Sequence, residues 1–129
     1  MLKKLFGIAP KLESDGSYSP SKLALKLGTV QKTDFENTSY KKYEGKKSKI
    51  LVIFTEEKNL KMQNGKLFST GNHPVEALLP MLHLRNAGFD FEIVTPTGKP
   101  VVFEMWAFPE KDEHVKTIYN DLKSHFRNP

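Results

Sequence analysis

Cysteine is absent from this 129-residue chain, which excludes disulfides, thiolate metal sites and an internal cysteine nucleophile. Long hydrophobic runs are missing too, and none approaches the roughly 20 residues needed to cross a bilayer. Lys3 and Lys4 precede only the short apolar residues 5–9 before Pro10, less than a secretory apolar region requires, so the expected address is cytoplasmic, with no membrane partner. No GxGxxG or P-loop spacing supports phosphate binding, HPVE at residues 73–76 is not the HExxH zinc helix, and no GxSxG elbow supports a serine hydrolase. Internal repeats and low-complexity tracts are likewise lacking.

What remains is a composition of 38% hydrophobic and 27% charged residues, ordinary for a folded domain and sufficient for one core at this length. The net charge of +5 is uneven. Residues 1–50 hold 11 lysines against 5 acids, whereas the remainder holds 9 basic against 10 acidic residues. A basic arm can attract nucleic acid, but these lysines are scattered among Ser, Gly and acids without an RNP or zinc-finger pattern. A solvated arm is the plainer reading, and nucleic acid is not an expected partner except as a modified substrate.

Glycine and proline interrupt every candidate element before residue 46, which predicts an arm over 1–46 and an α/β unit over 47–129. Within the arm, Ser21 can cap a short helix over residues 21–27, with Leu23, Ala24 and Leu27 on one side. Residues 48–55 contain the run Ile50, Leu51, Val52, Ile53 and Phe54, which predicts a buried parallel strand. A polar loop follows. Val75, Leu78, Leu79 and Leu82 then predict a helix over 74–87, stopped by Gly88, and residues 89–95 predict the next strand. Residues 101–108, VVFEMWAF, read as an irregular covering segment, either core packing or a substrate wall. Val115, Ile118, Tyr119, Leu122 and Phe126 predict one amphipathic helix over 112–126, with Lys116 and Lys123 outward.

Residues 64–76, NGKLFSTGNHPVE, read as a glycine-bearing loop running into a helix with a carboxylate in its first turn. Glu76 is the candidate catalytic residue. It has two readings: an acid stabilising the helix N-terminus, or a proton-transfer group beside a ligand crevice at the carboxyl end of a parallel strand. Burial beside an apolar wall would raise its pKa. Pro80 cannot donate to the Glu76 carbonyl, so that carbonyl is free and the helix can bend. Gly65 and Gly71 permit tight turns or a close approach of backbone to ligand. Ser69 and Thr70 supply loop hydroxyls, and His73, His83, His114 and His125 form no recognised metal pattern.

KILVI, then NGKLFSTGNHPVEALLPMLHLRNAGFDFEI, then FEMWAFP, KDEHV and FRNP resemble, in order and spacing, the first half of the bacterial heat-shock holding chaperones also described as glyoxalase III and protein deglycase, in the intracellular protease I-like superfamily. The resemblance covers residues 30–129. It implies a flavodoxin-like parallel α/β sandwich, a homodimer, no cofactor, and a catalytic cysteine and histidine with an acidic partner in the half this sequence does not include. It also implies that a glutamate at Glu76 bonds the nucleophilic cysteine and shuttles protons while the thiolate attacks methylglyoxal or its adducts on amines. Bacterial relatives carry a metal site of two histidines and a carboxylate, and here Arg85, Asp90 and Leu122 stand at those positions.

The expected function is therefore the N-terminal portion of a stress-response glyoxalase III and protein deglycase, inactive alone. The alternatives are a holding chaperone for unfolded clients or partner-binding module that uses residues 101–108, one chain of a split enzyme with a complementing C-terminal half, or a basic-arm interaction protein.

Overall fold

The computed structural model describes residues 2, 6–46 and 49–129. The chain is mixed α/β, with two sheets. Strand β1 (Lys11–Leu12) pairs antiparallel with β2 (Tyr18–Ser19), and helix α1 (Lys22–Gly28) follows. Strand β3 (Lys49–Ile53) leads to a hairpin of β4 (Asn59–Lys61) and β5 (Leu67–Ser69). Helix α2 (Pro74–Asn86), strand β6 (Asp90–Val94), a 3-10 turn (Met105–Ala107), and helices α3 (Glu113–Asp121) and α4 (Lys123–Arg127) complete the order.

Strands β3 and β6 run parallel, with Ile50 opposite Phe91, Leu51 opposite Glu92 and Val52 opposite Ile93. Because side chains alternate across a strand, Phe91 and Ile93 turn to one face and are buried, with Ile50 and Val52 partly buried against the core. Helix α2 sends Leu78, Met81 and Leu82 into the same core, where they meet Val115 and Ile118 of α3. Phe103 fixes the centre of an aromatic group, with ring centroids 5.6 Å from Phe54, 5.6 Å from Tyr119 and 5.0 Å from Phe126.

The expected strand at 48–55 is parallel but is not buried on both faces. Leu51 is 59% exposed and Ile53 70% exposed. The reason is geometric: α2 and α3 cover one face of the pair, and no described element covers the other. The expected polar loop and the loop part of the stretch 64–76 are likewise not loop throughout, since β4 and β5 occupy much of them, while the helix begins at Pro74 as expected. Gly65, at φ 76°, makes the hairpin turn. The single helix expected over 112–126 is two helices, broken where Leu122 takes φ −94° and ψ 4°. That break leaves the amphipathic pattern intact, because Val115, Ile118 and Phe126 are all buried. Helix α1 forms with Ser21 as its cap, accepting from the Ala24 N–H, but it buries none of its residues.

Residues 29–43 cross α2 and α3 as an extended strap. Asp112, the N-cap of α3, is 1% exposed and accepts from the Val115 N–H at 3.0 Å. The same carboxylate accepts from the Thr33 N–H at 2.8 Å and from the Thr33 hydroxyl. Phe35 sits between two imidazoles, 4.8 Å from His83 and 4.9 Å from His114, and the Tyr40 hydroxyl meets His83 Nδ1 at 2.8 Å. Burial alone would push the Asp112 carboxyl up, but the hydrogen bonds from Thr33, Val115 and His114 outweigh it and hold the group below its ordinary value.

A carboxylate depressed in the folded state adds stability that is present above its unfolded pKa, about 3.9, and is lost as pH falls through the folded value. Acidification below pH 4 is therefore expected to loosen the strap. Asp112→Ala is expected to cost about 2 kcal/mol, from the lost cap and the orphaned Thr33 amide. Urea unfolding measures the loss, and faster amide hydrogen exchange at residues 33–40 locates it; unchanged exchange there would show that Asp112 does not hold the strap.

Candidate functional site

The site is assembled by Asn72, just ahead of α2. Its side-chain NH2 donates to the Thr55 carbonyl at 2.9 Å and to the Val102 carbonyl at 2.7 Å, and its Oδ1 accepts from the Thr55 N–H at 3.1 Å. Its backbone N–H donates to the Val102 carbonyl at 2.8 Å and its carbonyl accepts from the Glu104 N–H at 3.0 Å. One asparagine thereby ties together the residue just past β3, the start of α2 and residues 102–104. Asn72 and Phe103 form a parallel bridge.

Gly71 makes this approach possible. A Cβ there would lie 2.9 Å from both the Phe103 carbonyl carbon and the Val102 oxygen, and 3.0 Å from the Glu104 nitrogen. These are backbone atoms, so the neighbours cannot give way as a side chain would. Close backbone packing, rather than substrate contact, is what the glycine does here.

Past Asn72 the chain enters α2. His73 is the N-cap, its Nδ1 accepting from the Glu76 N–H at a long 3.4 Å, and Pro74 takes the first helical turn, where its missing N–H costs nothing. Glu76 follows in that turn and is exposed, whereas Pro74 and Leu78, two residues to either side, are buried. Burial against an apolar wall is thus not a property of Glu76 in this chain.

A second carboxyl stands nearby that the sequence reading passed over. Glu104, half-buried, accepts from the Thr70 hydroxyl at 3.3 Å. Burial pushes its carboxyl above the ordinary glutamate range. The Thr70 bond and the neighbouring His73 oppose that shift, and the charge of Glu76 adds to it. Its signal was hidden in FEMWAFP, an aromatic stretch that reads as packing. Most of that stretch does pack: Phe103, Ala107 and Phe108 are buried, while Met105 is exposed and Trp106 reaches the Ser69 carbonyl through Nε1 at 3.3 Å.

The positions implied for a metal do not suit one. The Arg85 guanidinium pairs with Asp121 at 2.8 Å, placing a cation where a ligand would stand, and Leu122 has no donor atom. Among the described residues, no group of three His, Asp or Glu side chains is placed to hold a metal ion. His83 is bound to Tyr40, and His125 meets only Ser124 among these contacts. Among the described residues no helix is long and apolar enough to cross a membrane.

No family model matches the chain. It is 46% identical over 121 residues to the protein/nucleic acid deglycase HchA of Staphylococcus aureus strain JH9, and equally so to those of strains Newman and Mu50. The match takes in 93% of this chain but 41% of each relative. The chain is therefore homologous to part of these deglycases, as its motifs implied. The match also reaches further than residues 30–129, into the arm, in keeping with the pairing of Tyr18 opposite Phe68 between β2 and β5.

Asn72→Ala is expected to destabilise the chain by about 1 to 3 kcal/mol, since it strands the Thr55 N–H and removes one of the two bonds to each of the Thr55 and Val102 carbonyls. Trp106, the only tryptophan, is bonded to Ser69 next to this junction and reports it. Its emission should shift toward that of a solvated indole before global unfolding in urea, and a single coincident transition would contradict a locally loosened junction.

Proposed function

We propose that this chain, related over nearly its whole length to the protein/nucleic acid deglycases, supplies the acid-bearing portion of a glyoxalase III and deglycase site and needs a second portion to act. The observation that carries this reading is the conjunction of 46% identity with a complete lack of cysteine. Residues 47–129 are then part of a flavodoxin-like parallel sandwich, with residues 1–46 as an arm packed onto it. The exposed Leu51 and Ile53 support this, because a parallel pair is ordinarily covered on both faces and does not stand alone.

In the completed site, a cysteine thiolate from the second portion adds to the aldehyde carbon of methylglyoxal, or displaces the amine from that carbon in an adduct on a protein or nucleic acid, to give the same hemithioacetal. Glu76 hydrogen-bonds that thiol and moves the proton from this carbon to its neighbour, which converts the hemithioacetal into a lactoyl thioester; water then hydrolyses the thioester to lactate and the free thiol. An exposed carboxylate in this chain suits that role, since the missing portion would lie over it and supply the burial. No metal or organic cofactor takes part in this scheme. The second portion is the rest of a longer chain or a complementing polypeptide, and the completed protein is a cytoplasmic homodimer.

A non-enzymatic reading draws on the exposed apolar side chains. Leu51 and Ile53 on the open sheet face, and Met105 in the segment 101–108, are about half exposed or more, and such surfaces can hold unfolded clients. It predicts that suppression of client aggregation survives Glu76→Gln.

The purified chain is expected to turn over no methylglyoxal. Co-expressed with the remaining portion of the Staphylococcus aureus relative, it should give lactate at a rate that Glu76→Gln lowers about 1,000-fold. Lactate formed by the chain alone would sink the proposal, and so would a co-purified complex indifferent to Glu76.

A further inference from the structure

A cavity of about 620 Å³ lies between the turn that joins β1 to β2 and residues 101–106, a volume usual for a ligand cleft. Three aromatic side chains line it, Phe103, Trp106 and Tyr119. Its charged lining consists of two carboxylates on the β1–β2 turn, Glu13 and Asp15, each with a lysine, Lys11 and Lys58. Buried serines fix both acids. Ser17, fully buried, donates to Asp15 Oδ1 from its hydroxyl at 2.6 Å and from its N–H at 3.0 Å, and the buried Ser19 hydroxyl donates to Glu13 Oε1 at 2.6 Å. The second oxygen of each acid holds an ammonium group instead, Lys58 Nζ at 2.7 Å from Asp15 Oδ2 and Lys11 Nζ at 3.0 Å from Glu13 Oε2. These lysines reach in from solvent: their side chains are 64% and 71% exposed, against 27% and 30% for the carboxylates they meet.

We infer that this cavity is a binding site for an arginine side chain of another polypeptide, whose guanidinium stacks on the aromatic lining and takes the carboxylate oxygens that Lys58 and Lys11 otherwise hold. An aromatic face attracts a cation, tryptophan most strongly, and a guanidinium is flat enough to stack while its N–H edge donates to an acid. The two lysines act as internal stand-ins that show which oxygens accept a cation. An exposed lysine on a carboxylate is weakly held and exchanges readily, whereas a guanidinium adds stacking and a paired donor edge to the same charge. The serine bonds keep Glu13 and Asp15 in place when the lysines swing away, so the acids need no rearrangement to receive the ligand. Displacing both lysines leaves two anionic groups beside three aromatic rings, a lining complementary to a basic segment and not to an acidic one. This site does not depend on the aldehyde chemistry proposed above.

Trp106 is the only tryptophan and lines the cavity, so its fluorescence reads occupancy directly. The intact chain is titrated at constant ionic strength with the blocked peptide acetyl-Ala-Arg-Ala-amide, with its citrulline counterpart, which keeps the shape and loses the charge, and with its lysine counterpart. A saturable change is expected with the arginine peptide, with binding about tenfold weaker for citrulline and about threefold weaker for lysine. Absence of saturation, or equal affinity for citrulline, would overturn the site, and equal affinity for lysine would overturn its assignment to a guanidinium. These comparisons need no variant and hold even where a substitution unfolds the chain. Asp15→Asn should weaken the arginine peptide about fivefold, whereas Lys58→Met, which vacates Asp15 Oδ2, should tighten it about threefold. If Lys58 served only to pin the arm, its loss would leave binding unchanged or weaken it, and either result would overturn the stand-in role on which the inference rests.

Discussion

The Asn72 carboxamide is the interaction on which the rest of the site depends. Both of its N–H groups and its oxygen are spent on backbone atoms of Thr55 and Val102, segments far apart in the chain. A backbone group that leaves a strand without a ladder partner must find one elsewhere or lose about 1 to 3 kcal/mol. Asn72 satisfies such groups at the carboxyl end of β3 and on the segment after β6 simultaneously. Gly71 has to precede it, because any side chain there would meet the backbone of residues 102–104. The place of Glu76 in the first turn of α2 is thus set by a contact four residues earlier.

A second anchor works at the start of α3. Asp112 caps α3 and at the same time receives Thr33, so a single buried carboxylate fixes both the start of a helix and the course of the arm. Nothing in an isolated capping motif distinguishes a carboxylate that serves its own helix from one that also serves a remote strand. Phe35 between His83 and His114 then closes the strap over α2 and α3. The arm behaves as a belt whose few anchors are polar and aromatic, while the core beneath it is aliphatic and phenylalanine-rich.

The elements with strong local signals were legible in the sequence. Pro74, Leu78 and Leu82 marked α2; Ile50 and Val52 marked β3; Ser21 marked the cap of α1; and Val115, Ile118 and Phe126 marked the last helical face. The motifs also led correctly to the deglycases. What could not be read depended on what lies next to each element. Strand β3 looks fully apolar in sequence, but its burial is decided by how many layers surround it, and only one of its faces is covered here. The hairpin of β4 and β5 carries too few apolar residues to stand out from loop. The break at Leu122 leaves the hydrophobic spacing unchanged and so casts no shadow in it. Glu104 was hidden because its neighbours are aromatic, and its character comes from Thr70 and partial burial rather than from any motif of its own.

Under the proposed function, these contacts would make the loop that carries Glu76 independent of the nucleophile. The Thr70 hydroxyl on Glu104, the Asn72 bridge and the His73 cap hold residues 70–76 through groups of this chain. A cysteine arriving from another portion would meet a loop already held in place rather than one it must order, and so would lose less conformational entropy on assembly. The exposed face of Leu51 and Ile53 meanwhile offers apolar area whose burial can drive that assembly. On that reading, binding energy and acid geometry would come from different parts of the chain, the sheet face for the first and the Asn72 junction for the second. A change in one can alter assembly without disturbing the carboxyls, and a change in the other can disturb the carboxyls while leaving assembly intact.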